Sequence, residues 1–293
     1  MTSSGPRPST TLGTSGVLRA ATERLAASSP TPRLDAELLM AEALGVSRSK
    51  LLLGRMSAQT PERFAALVAR RLAHEPVAYI VGRQEFYGLD LILTRDALIP
   101  RADSETLIDA ARAELAGSPT RILDLGTGSG ALLLAAMSVW PGAEGTGTDR
   151  SAAALEVARG NAARLGFAPR WVERDWAVPD WADALGRFDL VLANPPYVED
   201  GAALARSVRD HEPAGALFAG PEGLDAYRVL IPQVPGLLAE DGLAVFEIGH
   251  TQADAVAALA AAAGLAATLH RDLAGRPRAL ALKKSLGKPR PSD

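Results

Sequence analysis

From Thr120 onward the chain alternates short apolar β-type runs with helical stretches, and no other feature restricts the possible folds as strongly. RILDL reads as a strand and GALLLAAMSVW as a helix; AEGTGTD reads as a short strand and SAAALEVARGNAARLG as a helix. PRWVERD and FDLVLA read as further strands. A helix near Leu224 to Leu238, the strand LAVFEIG, the helix QADAVAALAAAAG and strands near Ala266 to His270 and Ala279 to Lys283 complete the series. Parallel strands need long crossovers, so this alternation predicts a mostly parallel, doubly wound α/β sheet with helices on both faces.

Upstream the pattern differs. Residues 16–75 predict a small helical bundle: Val17, Leu18, Ala21 and Leu25 recur at helical spacing, as do Leu34, Leu38, Leu39 and Ala43. Thr60-Pro61-Glu62 reads as a helix start, with a capping hydroxyl and then proline at the first helical position. Residues 76–102 carry β-rich runs broken by Gly82 and Gly88, which predicts a β-hairpin connector. The α/β region then spans 103–284, opening on a helix after Ser104. Residues 1–15 are rich in Ser, Thr, Gly and Pro and are expected to form a disordered tail; residues 285–293 are expected to be a flexible one.

Composition excludes several classes. With 47% hydrophobic and 22% charged residues, the 293-residue chain has the material for a sizeable core. A net charge of −3 gives no electrostatic reason to expect a long nucleic-acid footprint. The absence of cysteine removes disulfides and thiol catalysis, and suits a cytoplasmic protein. His74, His211, His250 and His270 stand too far apart for a metal-ligand motif, so no metal is expected. No apolar run reaches membrane-spanning length, and the first residues contain no secretory h-region.

Two loops of the α/β region carry chemistry. Asp124-Leu-Gly126-Thr127-Gly128-Ser129-Gly130-Ala131 joins a strand to a helix. Glycines there admit positive φ and the close approach of a ligand, and the helix start offers free N–H groups. Gly126, Gly128 and Ala131 also fit a dinucleotide fingerprint, with Asp149 about twenty residues on. Asp124 argues against that reading, because a carboxylate ahead of the loop repels pyrophosphate. It suits a ligand with cationic groups, such as S-adenosylmethionine, whose ribose Asp149 can bind at the end of the next strand.

The second loop is Ala193-Asn194-Pro195-Pro196-Tyr197-Val198. Proline fixes φ, removes a donor and drives the preceding residue out of the helical region, so the loop is stiff and extended. Its carbonyls and the Asn194 side chain form a rigid set of acceptors suited to a planar –NH2 group, which presents two donors. Tyr197 offers a flat face to a planar amide or base. Clamping both N–H bonds of a weakly nucleophilic amide fixes it for in-line methyl transfer, and orientation of this kind accounts for roughly 7–11 kcal/mol of barrier.

Asp-x-Gly-x-Gly-x-Gly, a following acid and Asn-Pro-Pro-Tyr together resemble the amino-methyltransferases of the class I S-adenosylmethionine-dependent fold. PVAYIVGRQEFYGLDLILTRDALIPRADSETLI, HEPAGALFAGPEGLDAYRVL, FEIGHTQ and DLAGRPRALAL narrow the likeness to the peptide chain release factor glutamine methyltransferase family, over about residues 76–283. The resemblance implies cofactor contacts at Asp124, at Gly126 through Gly130, at Asp149 and Asn194, and at Trp176 in the RDW segment. It implies catalytic and substrate-binding roles for Asn194, Pro195, Pro196 and Tyr197. The implied cofactor is S-adenosyl-L-methionine, and the implied partners are class I release factors, methylated on the glutamine of a Gly-Gly-Gln loop. No direct nucleic-acid or membrane partner is expected; the helical bundle would hold the protein substrate. A ribosomal-protein glutamine methyltransferase and a DNA adenine-N6 methyltransferase share the loop and are the alternatives. One departure stands out. Ala102-Asp103-Ser104-Glu105 replaces the family's proline-acid-threonine-glutamate run.

Overall fold

The computed structural model describes residues 14–54 and 60–285. Most of the two expected tails, 1–15 and 285–293, lies outside the described residues; Thr14 and Ser15 form the start of the first helix rather than part of a tail. The chain divides into two compact units. One is residues 1–82 with Arg206–His211; the other is residues 83–205 with 212–293.

The first unit is helical, with Thr14–Leu25, Pro32–Leu44, Arg48–Leu52, Arg63–Leu72 and Val77–Val81. Leu18, Leu25, Leu39, Met40, Phe64, Val68 and Ile80 form its core. Within that core Arg71 Nε donates to Asp35 at 2.6 Å, and Asp35 also accepts from Ser29 and Thr31. Charges survive burial only when paired and hydrogen-bonded in this way. The fourth helix opens at Arg63, preceded by Glu62 in helical geometry without a side-chain cap. Thr60 and Pro61 therefore lie before it and do not supply the expected cap and first position. Val77–Val81, read as β-type, is a helix closed by Gly82 at φ +73°. A short apolar run has no decisive periodicity, and here packing of Ile80 into the helical core settles it. For the same reason the unit ends at Gly82 rather than at residue 75.

The second unit opens with the hairpin β1 (Arg83–Phe86) and β2 (Leu89–Ile92). Tyr87 and Gly88 make the turn, both at positive φ, the geometry that matches strand twist in a two-residue loop. Asn161, fully buried, accepts the Ile92 N–H at 2.7 Å and donates to the carbonyls of Ile92 and Ser129 at 3.0 Å. One amide thus ties the hairpin to the glycine loop.

Seven strands form the main sheet: β3 (Arg121–Leu125), β4 (Glu144–Asp149), β5 (Arg170–Glu173), β6 (Phe188–Ala193), β7 (Leu238–Glu247), β8 (Leu265–Arg271) and β9 (Pro277–Lys284). Their order is β5-β4-β3-β6-β7-β9-β8, parallel from β5 to β7, with β9 antiparallel to both neighbours. Alternation along β3 and β6 builds two cores. Ile122, Leu190 and Leu192 pack on one face with Leu133 and Leu134 of the helix Ala131–Val139. Leu123, Leu125 and Val191 pack on the other with Tyr227, Leu230 and Val256. The helix expected over Leu224 to Leu238 is broken into Asp225–Leu230, Ile231–Gln233 and Val234–Leu237. Pro232 and Pro235 lack the N–H groups a continuous helix requires.

Register places the chemistry. β3 pairs Leu125 with Thr148 of β4 and with Ala193 of β6. Gly126 and Asn194, the next residues, therefore leave the sheet beside Asp149, the last residue of β4, at its carboxyl edge. There the strand order changes direction between β3 and β6, the position at which open α/β sheets bind ligands.

Candidate active site

A cleft of about 180 Å³ opens at this edge. Gly126, Gly128, Asp149, Trp176, Asn194 and Pro196 line it, together with Asp96–Leu98, Arg150 and the segment around Gly215. Thr127, Ser129, Gly130, Pro195 and Tyr197 are not on its wall.

The glycine loop needs its glycines. Gly126, Gly128 and Gly130 sit at φ +69°, +54° and +83°. A Cβ on Gly126 would lie 3.0 Å from the Trp176 ring, and one on Gly130 would crowd Trp171, Ala158 and Leu134. Close approach of Trp176 to the Gly126 backbone makes one flat side of the cleft. Asp149 accepts the Gly128 N–H at 2.9 Å through one carboxylate oxygen and the Ser151 N–H at 2.9 Å through the other. These bonds fix its carboxylate where it borders the cleft.

Asp124 lies beneath the loop, 1% exposed, and does not line the cleft. Its Oδ2 accepts from the Thr127 hydroxyl at 2.5 Å, while its buried Oδ1 has no protein partner. Burial pushes this carboxyl up to about 7; the Thr127 hydroxyl and the Leu133 N–H oppose that shift and the nearby Asp149 adds to it. A carboxylate buried beneath the loop places negative charge under a ligand bearing positive charge.

At the Asn194 loop, Asn194 Nδ2 donates to Ser104 Oγ at 3.4 Å. Among the described residues, neither Asn194 Oδ1 nor the Pro195 carbonyl makes a protein hydrogen bond. The loop is held from behind. The Tyr197 hydroxyl donates to Glu247 Oε1 at 3.0 Å, so its polar end points into the protein. Burial raises the Tyr197 phenol well above its ordinary range, and the Glu247 carboxylate adds to that. Gln252 Nε2 donates to the carbonyls of Tyr197 and Gly223 at 3.1 Å, and its Oε1 accepts the Gly249 N–H at 3.0 Å. Val198 exchanges backbone hydrogen bonds with Leu217 and Ala219.

Sequence reasoning assigned no role to Ser104, Glu247, Gln252 or Arg150. The Arg150 guanidinium lines the cleft and donates to the Gly215 carbonyl at 3.1 Å; a Cβ on Gly215 would sit 2.2 Å from it. The only sequence signal for the other three was their place in the family-like stretches ADSE and FEIGHTQ. The acids of ADSE separate in space. Glu105 accepts the Tyr87 N–H of the hairpin turn at 2.8 Å, and Asp103 accepts from Arg278 at 3.0 Å. Among the described residues no group of acidic and histidine side chains is placed to hold a metal, and no helix is long and apolar enough to cross a membrane.

Comparison with known proteins agrees with this architecture. The PrmC N-terminal domain model matches residues 16–82, and the Methyltransferase small domain model matches residues 102–211. The release factor glutamine methyltransferase of Rhodospirillum rubrum is 45% identical over 267 residues, covering 89% of this chain and 81% of that protein. The protein of the same name from Cereibacter sphaeroides is 44% identical, covering 89% of this chain and 95% of the relative. Among solved structures, a methyltransferase from Pyrococcus furiosus superposes with a TM-score of 0.53 at 18% identity, over 74% of this chain and 98% of that one, a likeness of fold. Identity sustained at this level across both units makes the chain a member of the release factor glutamine methyltransferase family.

Proposed function

We propose that this chain transfers a methyl group from S-adenosylmethionine to the side-chain amide nitrogen of a glutamine, the one in the Gly-Gly-Gln loop of class I peptide chain release factors. The observation that carries the reading is a juxtaposition. Asn194, with its carbonyl oxygen unengaged, lines the same cleft as Asp149 and the glycine loop. Membership of the family supports the choice of substrate.

When bound, S-adenosylmethionine supplies a methyl group on a positively charged sulfur. The backbone from Gly126 to Gly130 would hold it, with Asp149 accepting from the ribose hydroxyls and Trp176 against the adenine. Asp124, buried beneath the loop, would place its charge under the cationic end. On the substrate side, Asn194 Oδ1 and the Pro195 carbonyl accept the two N–H bonds of the glutamine amide. Holding both bonds fixes the nitrogen and stabilises the positive charge that develops on it during attack. Pro196 walls the cleft, and Tyr197 braces the loop through Glu247. The helical unit, which contains none of these groups, would engage the body of the release factor. A release factor substrate would put the reaction in the cytoplasm.

Labelled S-adenosylmethionine, intact release factor and a factor whose loop glutamine is replaced by alanine test the reading together. Label is expected on the natural factor and absent from the variant. Equal label on both would place the methyl elsewhere; label on duplex DNA or a ribosomal protein in parallel reactions would redirect the assignment.

A further inference from the structure

Four residues face two spaces at once. Arg150, Trp176, Pro196 and Gly215 line the cleft and also a neighbouring cavity of about 250 Å³, whose other lining includes Phe218, Asp225 and Val229. They form the wall between the two. Trp176 is set against the Gly126 backbone, and Pro196 is a rigid ring in a stiff loop. Arg150 is exposed, and its side chain is long and flexible.

The segment that carries Gly215 is held at both ends. Glu212 accepts the Ile99 N–H at 3.3 Å and a guanidinium N–H of Arg101 at 2.5 Å, while Val198 bonds Leu217 and Ala219. Between those ties the Gly215 carbonyl meets, among the described residues, one donor: Arg150, at 3.1 Å. That is also the one hydrogen bond of the Arg150 guanidinium among them, and no carboxylate pairs with it. Gly215 is fitted to this contact. Its φ is not positive, so its backbone does not demand glycine. The three atoms nearest to an added Cβ nevertheless all belong to Arg150, the closest at 2.2 Å. The missing side chain is the seat of the guanidinium.

Resting on the reading that seats S-adenosylmethionine between Asp149 and Trp176, we propose that Arg150 is a gate for cofactor exchange. Closed on the Gly215 carbonyl, it completes the wall beside the nucleoside half of the cofactor. Swung away, it joins the cleft to the neighbouring cavity. Exposed side chains change rotamer in picoseconds to nanoseconds, faster than a ligand crosses. Entry and exit are then scaled by the same open fraction. A gate that closes equally over the empty and the loaded cleft changes those rates and leaves affinity alone.

Rapid mixing with tritiated S-adenosylmethionine, then a chase with unlabelled cofactor, gives both rates; calorimetry gives the affinity. Arg150→Ala is expected to raise association and dissociation together, on the order of tenfold, the bias that one hydrogen bond from a charged donor gives the closed position. Affinity is expected to stay within about twofold of the natural protein. Gly215→Ala, whose methyl takes the seat of the guanidinium, is expected to reproduce both results. The double variant Arg150→Ala/Gly215→Ala is expected to match Arg150→Ala, since the methyl has nothing left to displace; independent effects would multiply. Faster dissociation alone, with weaker affinity, overturns the proposal, because Arg150 would then be a contact to the cofactor. Unchanged rates in Arg150→Ala, or multiplied effects in the double variant, also overturn it. Asp149→Ala separates the two claims: unchanged affinity there sinks the seating of the cofactor itself, whereas lost affinity there with unchanged rates in Arg150→Ala sinks only the gate.

Discussion

The Asp149 carboxylate accepts the Gly128 N–H at 2.9 Å, joining the end of β4 to the middle of the glycine loop. One side chain thereby shapes the loop and faces the cleft it encloses. Asp149→Ala removes the tie and the proposed ribose acceptor together. S-adenosylmethionine affinity is expected to fall by roughly 10²-fold, the loss of about two charge-assisted hydrogen bonds at about 1.5 kcal/mol each. Calorimetric titration measures this; affinity within experimental scatter of the natural protein would remove Asp149 from the cofactor site.

Asp124 should make cofactor binding depend on pH. Its carboxyl is held at about 7 by burial, so in the cofactor-free protein a large fraction is protonated below that pH. Only the ionised form complements a cation. Affinity is therefore expected to rise with pH through about 7 and to level off above it, with proton release on binding near neutrality. The profile should be flat in Asp124→Asn.

The same group makes a stability prediction of opposite sense. Its folded value lies above the ordinary carboxylate value, so the folded state binds the extra proton. Its contribution is most favourable below the ordinary value of 3.8, declines as pH rises toward about 7, and stays at its least favourable above that. Asp124→Asn is accordingly expected to raise the Tm of the cofactor-free protein at pH 8 while weakening cofactor binding. A lower Tm would show that the ionised carboxylate is already satisfied within the protein.

Gly126→Ala is expected to destabilise the protein by about 1–2 kcal/mol from its left-handed backbone alone. Its Cβ also meets the Trp176 ring at 3.0 Å, so the indole must shift. Chemical denaturation measures the first effect, and cofactor titration the second. Unchanged affinity would argue that Trp176 does not form one wall of the adenine pocket.

Gln252 joins three backbone segments that define the back of the Asn194 loop. Gln252→Ala leaves a buried carbonyl at Gly223, and a part-buried carbonyl at Tyr197 and N–H at Gly249, without their partner. On the order of 2–3 kcal/mol of stability is expected to be lost, with kcat falling more than cofactor affinity. Equal effects on both would mean that the amide supports the whole sheet edge rather than the loop.

The α/β architecture could be read from local order because it is written in period. Apolar runs at RILDL and FDLVLA alternate with helical stretches, and the crossover requirement does the rest. Where a segment had no decisive period, the reading failed: Val77–Val81 is apolar and β-branched at its ends, yet is a helix because Ile80 completes a helical core. The long helix before β7 was legible as apolar but not as broken, although Pro232 and Pro235 stood in plain view.

At the candidate site, the amino-acid order alone determined which chemistry was possible. Three glycines, two acids and a proline-stiffened asparagine are rare enough in combination to name a class of ligand and of reacting group, since each residue acts through an intrinsic property such as φ freedom, charge or a missing N–H. Only the tertiary structure decided which groups stand behind them. Tyr197 and Glu247 are 50 positions apart on the chain and meet only because β7, which ends at Glu247, lies beside β6, which leads into the Asn194 loop. Hydrogen-bond partnership depends on distance and direction in space, and a sequence records neither until the sheet has set its register.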